Sequence, residues 1–96
     1  APTLRGADAA TRAKLHEYDA ALGDLDRARS IAAREQLPSV LAAVDLQQAH
    51  VLWDSNQDRP RAHALARAAA ESSRRSGALR SLAEAEQWIR EHPLAP

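Results

Sequence analysis

Histidines, serines and carboxylates are the side chains of this chain that could do chemistry, and their spacing decides what they could do. An imidazole serves as metal ligand or acid–base group, but a helix presents two of them to one zinc ion only at spacings such as HxxxH or HExxH. His16, His50, His63 and His92 show neither spacing, and no cysteine is present to complete a set. None of the 7 serines stands in a GxSxG elbow, where a strained strand-to-helix turn would expose the hydroxyl as a nucleophile. Glu84 and Glu86, at i and i+2, point to different sides of a helix and cannot share an acid–base task. The 3 glycines are isolated, so no backbone loop cradles a phosphate. The residue types therefore predict no catalytic group, no metal, no cofactor and no enzyme.

Arginine is the remaining candidate. Of the 13 basic residues all but Lys14 are arginine, and six of them lie between Asp58 and Arg80 against Asp58 and Glu71, a local balance of +4. A nucleic-acid reader could use such a stretch, with Trp or Tyr stacking nearby. The formal net charge of zero and the pI near 7.2 weigh against it. The simpler expectation is a solvated convex face on which Arg67 and Glu71 form an ordinary i, i+4 pair.

These groups need a scaffold, and composition indicates its kind. The 96 residues suffice for one domain, 1–96. Of the residues counted as hydrophobic 23 are Ala and 12 are Leu, with no Phe and no Met. Alanine is the best helix former and carries no side-chain entropy cost, so the composition predicts helices packed closely through small side chains. The absence of cysteine fits a reducing cytoplasm. No run of 18 apolar residues predicts a membrane span, and no charged start ahead of a greasy run predicts a signal peptide. A start at Ala1 without Met points to a cut domain or a processed product.

Helix punctuation divides the chain into five segments. Gly23 followed by Asp24 reads as a stop and a fresh N-cap. Pro38 ends one helix and suits the first turn of the next; Asp58 with Pro60 opens another, and Gly77 closes it. The tail from Pro93 does not continue a helix. Helices are thus expected near 8–22, 24–36, 39–55, 59–76 and 78–92. Apolar spacing agrees: Thr11, Leu15, Tyr18 and Leu22 form one stripe, and Leu25, Ala28, Ile31 and Ala32 a second. The third segment is apolar on two sides, through Leu37, Leu41, Val44 and Val51, then Ala42, Leu46, Ala49 and Trp53. A helix of that kind is sandwiched between neighbours. Ala62, Leu65, Ala66 and Ala69 give the fourth a narrow face of small residues, and Leu79, Leu82, Ala85, Trp88 and Ile89 stripe the fifth. Trp53 and Trp88 are each expected to anchor a seam between helices.

A shift of 34 residues places Asp24 on Asp58, Arg27 on Arg61, Ala28 on Ala62, Ile31 on Leu65, Ala32 on Ala66 and His16 on His50. That period over two helices resembles the tetratricopeptide repeat, and Gly23-Asp24-Leu25-Asp26-Arg27-Ala28 resembles its turn between paired helices. Gln57 stands where the second unit would carry the turn glycine. The stretch from Leu52-Trp53 through Arg61-Ala62, with Gly77 and Trp88-Ile89, looks like the repeat tails of large bacterial signalling proteins, among them serine/threonine kinases and transcriptional activators.

The resemblance implies an all-α fold, an α-solenoid of about five antiparallel helices, made of two helix pairs and a capping helix. It also implies a protein or peptide partner held on a concave face by rows 34 residues apart: Arg12, Leu46 and Arg80; His16, His50 and Glu84; Asp19, Trp53 and Gln87. The expected function is protein–protein interaction within a larger regulator. The alternatives are self-association through the last repeat, giving a homo-oligomer, and, more weakly, arginine-driven nucleic-acid binding.

Overall fold

The computed structural model describes residues 2–94, with side chains from Arg12 onward. Among these the chain is all helical, with no strand, in four helices: α1 (Pro2–Arg34), α2 (Pro38–Asp54), α3 (Arg59–Ser76) and α4 (Leu79–Glu91). Thr11, the first member of the predicted α1 stripe, lies outside the described side chains.

Three of the four predicted breaks are present, and each is closed in the same way. Beyond α1, Leu37 N–H donates to Ala32 O (2.9 Å) and Gln36 N–H to Ala33 O (3.3 Å). Beyond α2, Gln57 and Asn56 donate to Leu52 O and Trp53 O; beyond α3, Ala78 and Gly77 donate to Ser73 O and Arg74 O. This is the paired 6→1 and 5→2 closure that satisfies the last carbonyls of a helix, and it requires a left-handed residue. Gln36 (φ 54°), Asn56 (φ 55°) and Gly77 (φ 75°) supply it. Asp58 caps α3 as expected, its carboxylate accepting from Arg61 N–H at 3.1 Å, with Pro60 in the first turn.

The break expected at Gly23 is absent. The two helices predicted at 8–22 and 24–36 are one, so the described chain has four helices where the sequence predicts five. A lone glycine inside a helix costs only about 1 kcal/mol relative to alanine, less than abandoning a turn of backbone hydrogen bonds flanked by Ala20, Ala21 and Leu22. Asp24 does not cap; its carboxylate accepts from Arg27 within the same helix. The same Asp-x-x-Arg spacing is thus a side-chain pair in mid-helix at Asp24 and a helix start at Asp58, where Asn56 and Gln57 have already turned the chain. Two substitutions separate these environments. Gly23→Ala stabilises the protein by about 0.5–1 kcal/mol, since an added Cβ meets nothing within 4 Å. Gly77→Ala destabilises it by about 1 kcal/mol, because alanine resists the left-handed conformation. Urea melts of the two variants check the opposite signs, and a destabilised Gly23→Ala would restore the hairpin.

Consecutive helices pack antiparallel, and α2 lies at the centre, touching α1, α3 and α4. The seam of α2 with α3 is the core and is built from small side chains. Ala49, Leu52, Ala62, Leu65, Ala66 and Trp88 form one buried cluster; Ala42, Ala69, Ala70 and Ala85 form a second, and half-buried Leu46 packs on both. The predicted narrow face of α3 is therefore the packed face, and both tryptophans sit in seams.

The seam between α1 and α2 is different in kind. Arg29 Nε donates to Asp45 Oδ1 at 2.7 Å, Gln48 Nε2 to Asp26 Oδ1 at 2.6 Å, and Gln57 Nε2 to Asp19 Oδ1 at 3.3 Å. These pairs run in opposite chain directions, as antiparallel helices require. Since Asp19 already lies level with Gln57, beyond the end of α2, the part of α1 before it runs past the bundle. Arg12 to Glu17 are all exposed. At 1.5 Å per residue α1 is roughly 50 Å long, which accounts for the 54 Å long axis of the molecule.

Candidate partner-binding surfaces

The three row members that fall on each helix form one stripe, at i, i+4 and i+7, but the helices do not bring these stripes into the predicted rows. Arg12, His16 and Asp19 lie on α1, which runs against α2 instead of parallel to it. His16 is exposed on the overhanging part, far along the axis from His50, whose level on α1 is near Asp24 to Asp26. Asp19 is engaged by Gln57. The α2 members differ among themselves: Leu46 and Trp53 are half-buried, whereas His50 is exposed. On α4, Arg80, Glu84 and Gln87 are exposed, and Gln87 donates to Glu91 at 3.3 Å.

Helices α2 and α4 do run parallel, but out of step with the period. Trp88 Nε1–H donates to His50 Nδ1 at 3.1 Å, a separation of 38 residues where the rows require 34. The difference is one helical turn. Around this contact the rings of Trp53, His63, Trp88 and His92 gather where α2 ends, α3 begins and α4 ends. Trp53 and Trp88 meet edge to face at 5.6 Å, His92 stacks on Trp88 at 4.3 Å, and the Arg59 guanidinium covers the Trp53 ring at 4.5 Å.

At the opposite end of the bundle lies a surface that the rows do not include. The last turn of α1, the turn into α2 and the last turn of α3 enclose a groove of about 400 Å³. Its wall is mostly apolar, with Ala32, Ala33, Leu37, Pro38 and Leu41 on one side, and Ser72, Arg75 and Ser76 on the other. In its wall Leu37 is 44% exposed, and Val40, three residues on, is 45% exposed; Ile31, 50% exposed, lines a second groove with Asp26, Arg27, Ser30 and Arg34. The signal for this site was present in the sequence as Leu37 and Leu41 bracketing the Pro38 break.

Among the described residues no three His, Cys, Asp or Glu side chains stand where they could hold a metal ion, and no helix is long and apolar enough to cross a membrane. The arginines of α3 do not converge on a ligand site. Glu71 takes Arg74 at 2.8 Å and lies 3.9 Å from Arg75, while Arg61 and Arg67 are exposed. Compared with known proteins, the chain matches no family model, no curated protein and no solved structure.

Proposed function

We propose that this chain is a non-catalytic protein-interaction module, a tetratricopeptide-like stack that serves as the docking or sensory part of a larger bacterial regulatory protein in the cytoplasm. The observation that carries this reading is the mostly apolar groove at the α1–α2 turn, with Leu37 exposed in its wall and Val40 exposed one turn on. Most of this protein's core is alanine, so large aliphatic side chains are scarce, and two of them, Leu37 and Val40, stand in solvent at this turn. Exposed apolar clusters of this sort mark association sites, and the groove volume lies within the range of known ligand pockets. The exposed stripe of Arg80, Glu84 and Gln87 on α4, with His50 on α2, is a second and more polar face for the same partner.

The groove's contribution is tested by capture of a partner on immobilised protein, with wild type and a Leu37→Glu/Val40→Glu variant in parallel. Both positions are exposed, so circular dichroism should report an unchanged fold. Recovery of the partner falls at least tenfold, the equivalent of about 1.4 kcal/mol. Equal recovery by the variant removes the groove from the reading.

Self-association is the second reading, and Leu79 favours it. It is 75% exposed, the most exposed large hydrophobic residue described, at the start of α4 on the groove's end of the bundle. Light scattering at rising concentration distinguishes it, because a monomer throughout rules out pairing through this end.

A further inference from the structure

We propose that His50, His63 and His92, together with Trp88, form a pH-sensitive clasp that fastens the end of α4 to α2 and α3 and loosens on acidification. The chemistry of each partner assigns the protons. An indole N–H only donates, so the 3.1 Å contact from Trp88 Nε1 requires a bare lone pair on His50 Nδ1. His50 makes this bond only as the neutral imidazole with its proton on Nε2. A backbone carbonyl only accepts, so His92 donates through Nδ1–H to Trp88 O at 2.8 Å, and His63 donates through Nε2–H to His92 O. The three imidazoles thus tie one place together from three elements: His50 from α2, His63 from α3, and His92 just beyond α4.

Protonation acts on the three imidazoles differently. A proton on His50 Nδ1 sets two donors against each other and leaves the N–H of Trp88, a residue only 4% exposed, without its acceptor. His63 keeps its bond from Nε2–H to the His92 carbonyl when charged, so a proton there adds charge without breaking that bond. His92 keeps its bond when charged, and a cation stacked on the Trp88 face at 4.3 Å is favourable by itself. The charged groups around the rings decide the sum. From the start of α3, Arg59 lies over Trp53, and His63 and His92 both meet the same indole, at 5.9 Å and 5.2 Å. None of the cluster's hydrogen bonds is to a carboxylate. Asp54, next to Trp53 on α2, is exposed, and Glu91, next to His92, is engaged by Gln87. Acid therefore places new positive charges on His63 and His92 around the indole that Arg59 covers, with no counter-ion bonded to them, and removes the hydrogen bond at His50. Histidine in general is the side chain that changes charge between pH 5 and 8, and the experiment spans that interval.

The experiment follows the indole N–H signal of Trp88 by NMR, together with tryptophan emission and Tm, between pH 7.5 and 5.0. In the wild type the Trp88 signal shifts and broadens as the pH falls, emission moves to longer wavelength, and Tm drops by about 4–8 °C. In His50→Asn, whose amide Oδ1 takes the place of Nδ1 and accepts the indole N–H at every pH, the Trp88 signal stays in place and at least half of the Tm drop disappears. His50→Lys, a permanent donor on an exposed position, shows the acid-form Trp88 signal already at pH 7.5. His16→Gln, on the free part of α1, behaves as wild type. A wild type with no change between the two pH values overturns the clasp. So does a His50→Asn variant with the full wild-type response, even if that response then vanishes in His92→Gln.

Discussion

Trp88→Ala lowers the stability of the fold by about 3–5 kcal/mol, the largest effect expected of any single truncation in this chain. The side chain is 4% exposed and packs on Ala49, Leu52, Ala62, Leu65 and Ala66, with Trp53 and His92 against its ring. What makes the loss large is the company. Alanines have no rotamer with which to fill a hole, so the cavity left by the indole persists instead of collapsing. A domain of this size is held by roughly 5–14 kcal/mol in total, and the variant gives up a large share of it. Urea unfolding followed by circular dichroism measures the change. Trp88→Phe keeps much of the volume and loses the N–H donated to His50, so it should cost less than half as much. A loss below about 1 kcal/mol for Trp88→Ala would mean that α4 is not seated on the α2–α3 seam.

The second large effect comes from the polar seam of α1. Asp45 is 1% exposed, and its described hydrogen bond is from Arg29, a side chain still 46% exposed. Removing the cation in Arg29→Met leaves a carboxylate inside the protein without its partner. For fully buried pairs this costs about 3–5 kcal/mol; the solvent reaching Arg29 reduces the expectation here to about 2 kcal/mol. The double variant Arg29→Met/Asp45→Leu removes the charge along with its partner and should recover most of the loss, because apolar replacement of a buried pair is often neutral. Unfolding of the single and double variants in parallel is the measurement. A single variant as stable as wild type would show that α1 does not rest on α2 through this pair.

The polar seam explains how α1 differs from the other helices. Leu22, Leu25 and Ala28 of α1 are only half-buried, and Ala32 is its one described residue that is fully buried. Specific pairs, Asp19–Gln57, Asp26–Gln48 and Arg29–Asp45, align the helix where bulk is lacking. Such pairs add little net stability but penalise a slipped register strongly, since a shift by one residue would strand Asp45 and Gln48 inside.

Much of this fold was legible in the residues alone. The ends of α2, α3 and α4 fall within one residue of their expected places because the devices that set them are local: a proline in a first turn, an aspartate accepting from the N–H three residues on, a residue in the left-handed region. The packed face of α3 could be read from Ala62, Leu65, Ala66 and Ala69, because four small apolar residues at helical spacing have no reason to face water together. The failure at Gly23 has an equally local origin. Gly-Asp is a stop signal only if the chain has somewhere to turn, and flanking alanines keep a single glycine helical.

Tertiary structure decided the remainder. Periodicity specifies which side of a helix is buried but not which neighbour lies against it or at what height. The step of 38 residues between His50 and Trp88, one turn longer than the repeat in the sequence, is set by how the indole fits among alanines of α2 and α3. The pairing of Arg29 with Asp45, the rings that meet at the end of α4 and the groove behind Leu37 likewise join residues distant in the chain. Each depends on the height at which one helix rests on the next, and that height is a property of packed surfaces, which no single segment contains.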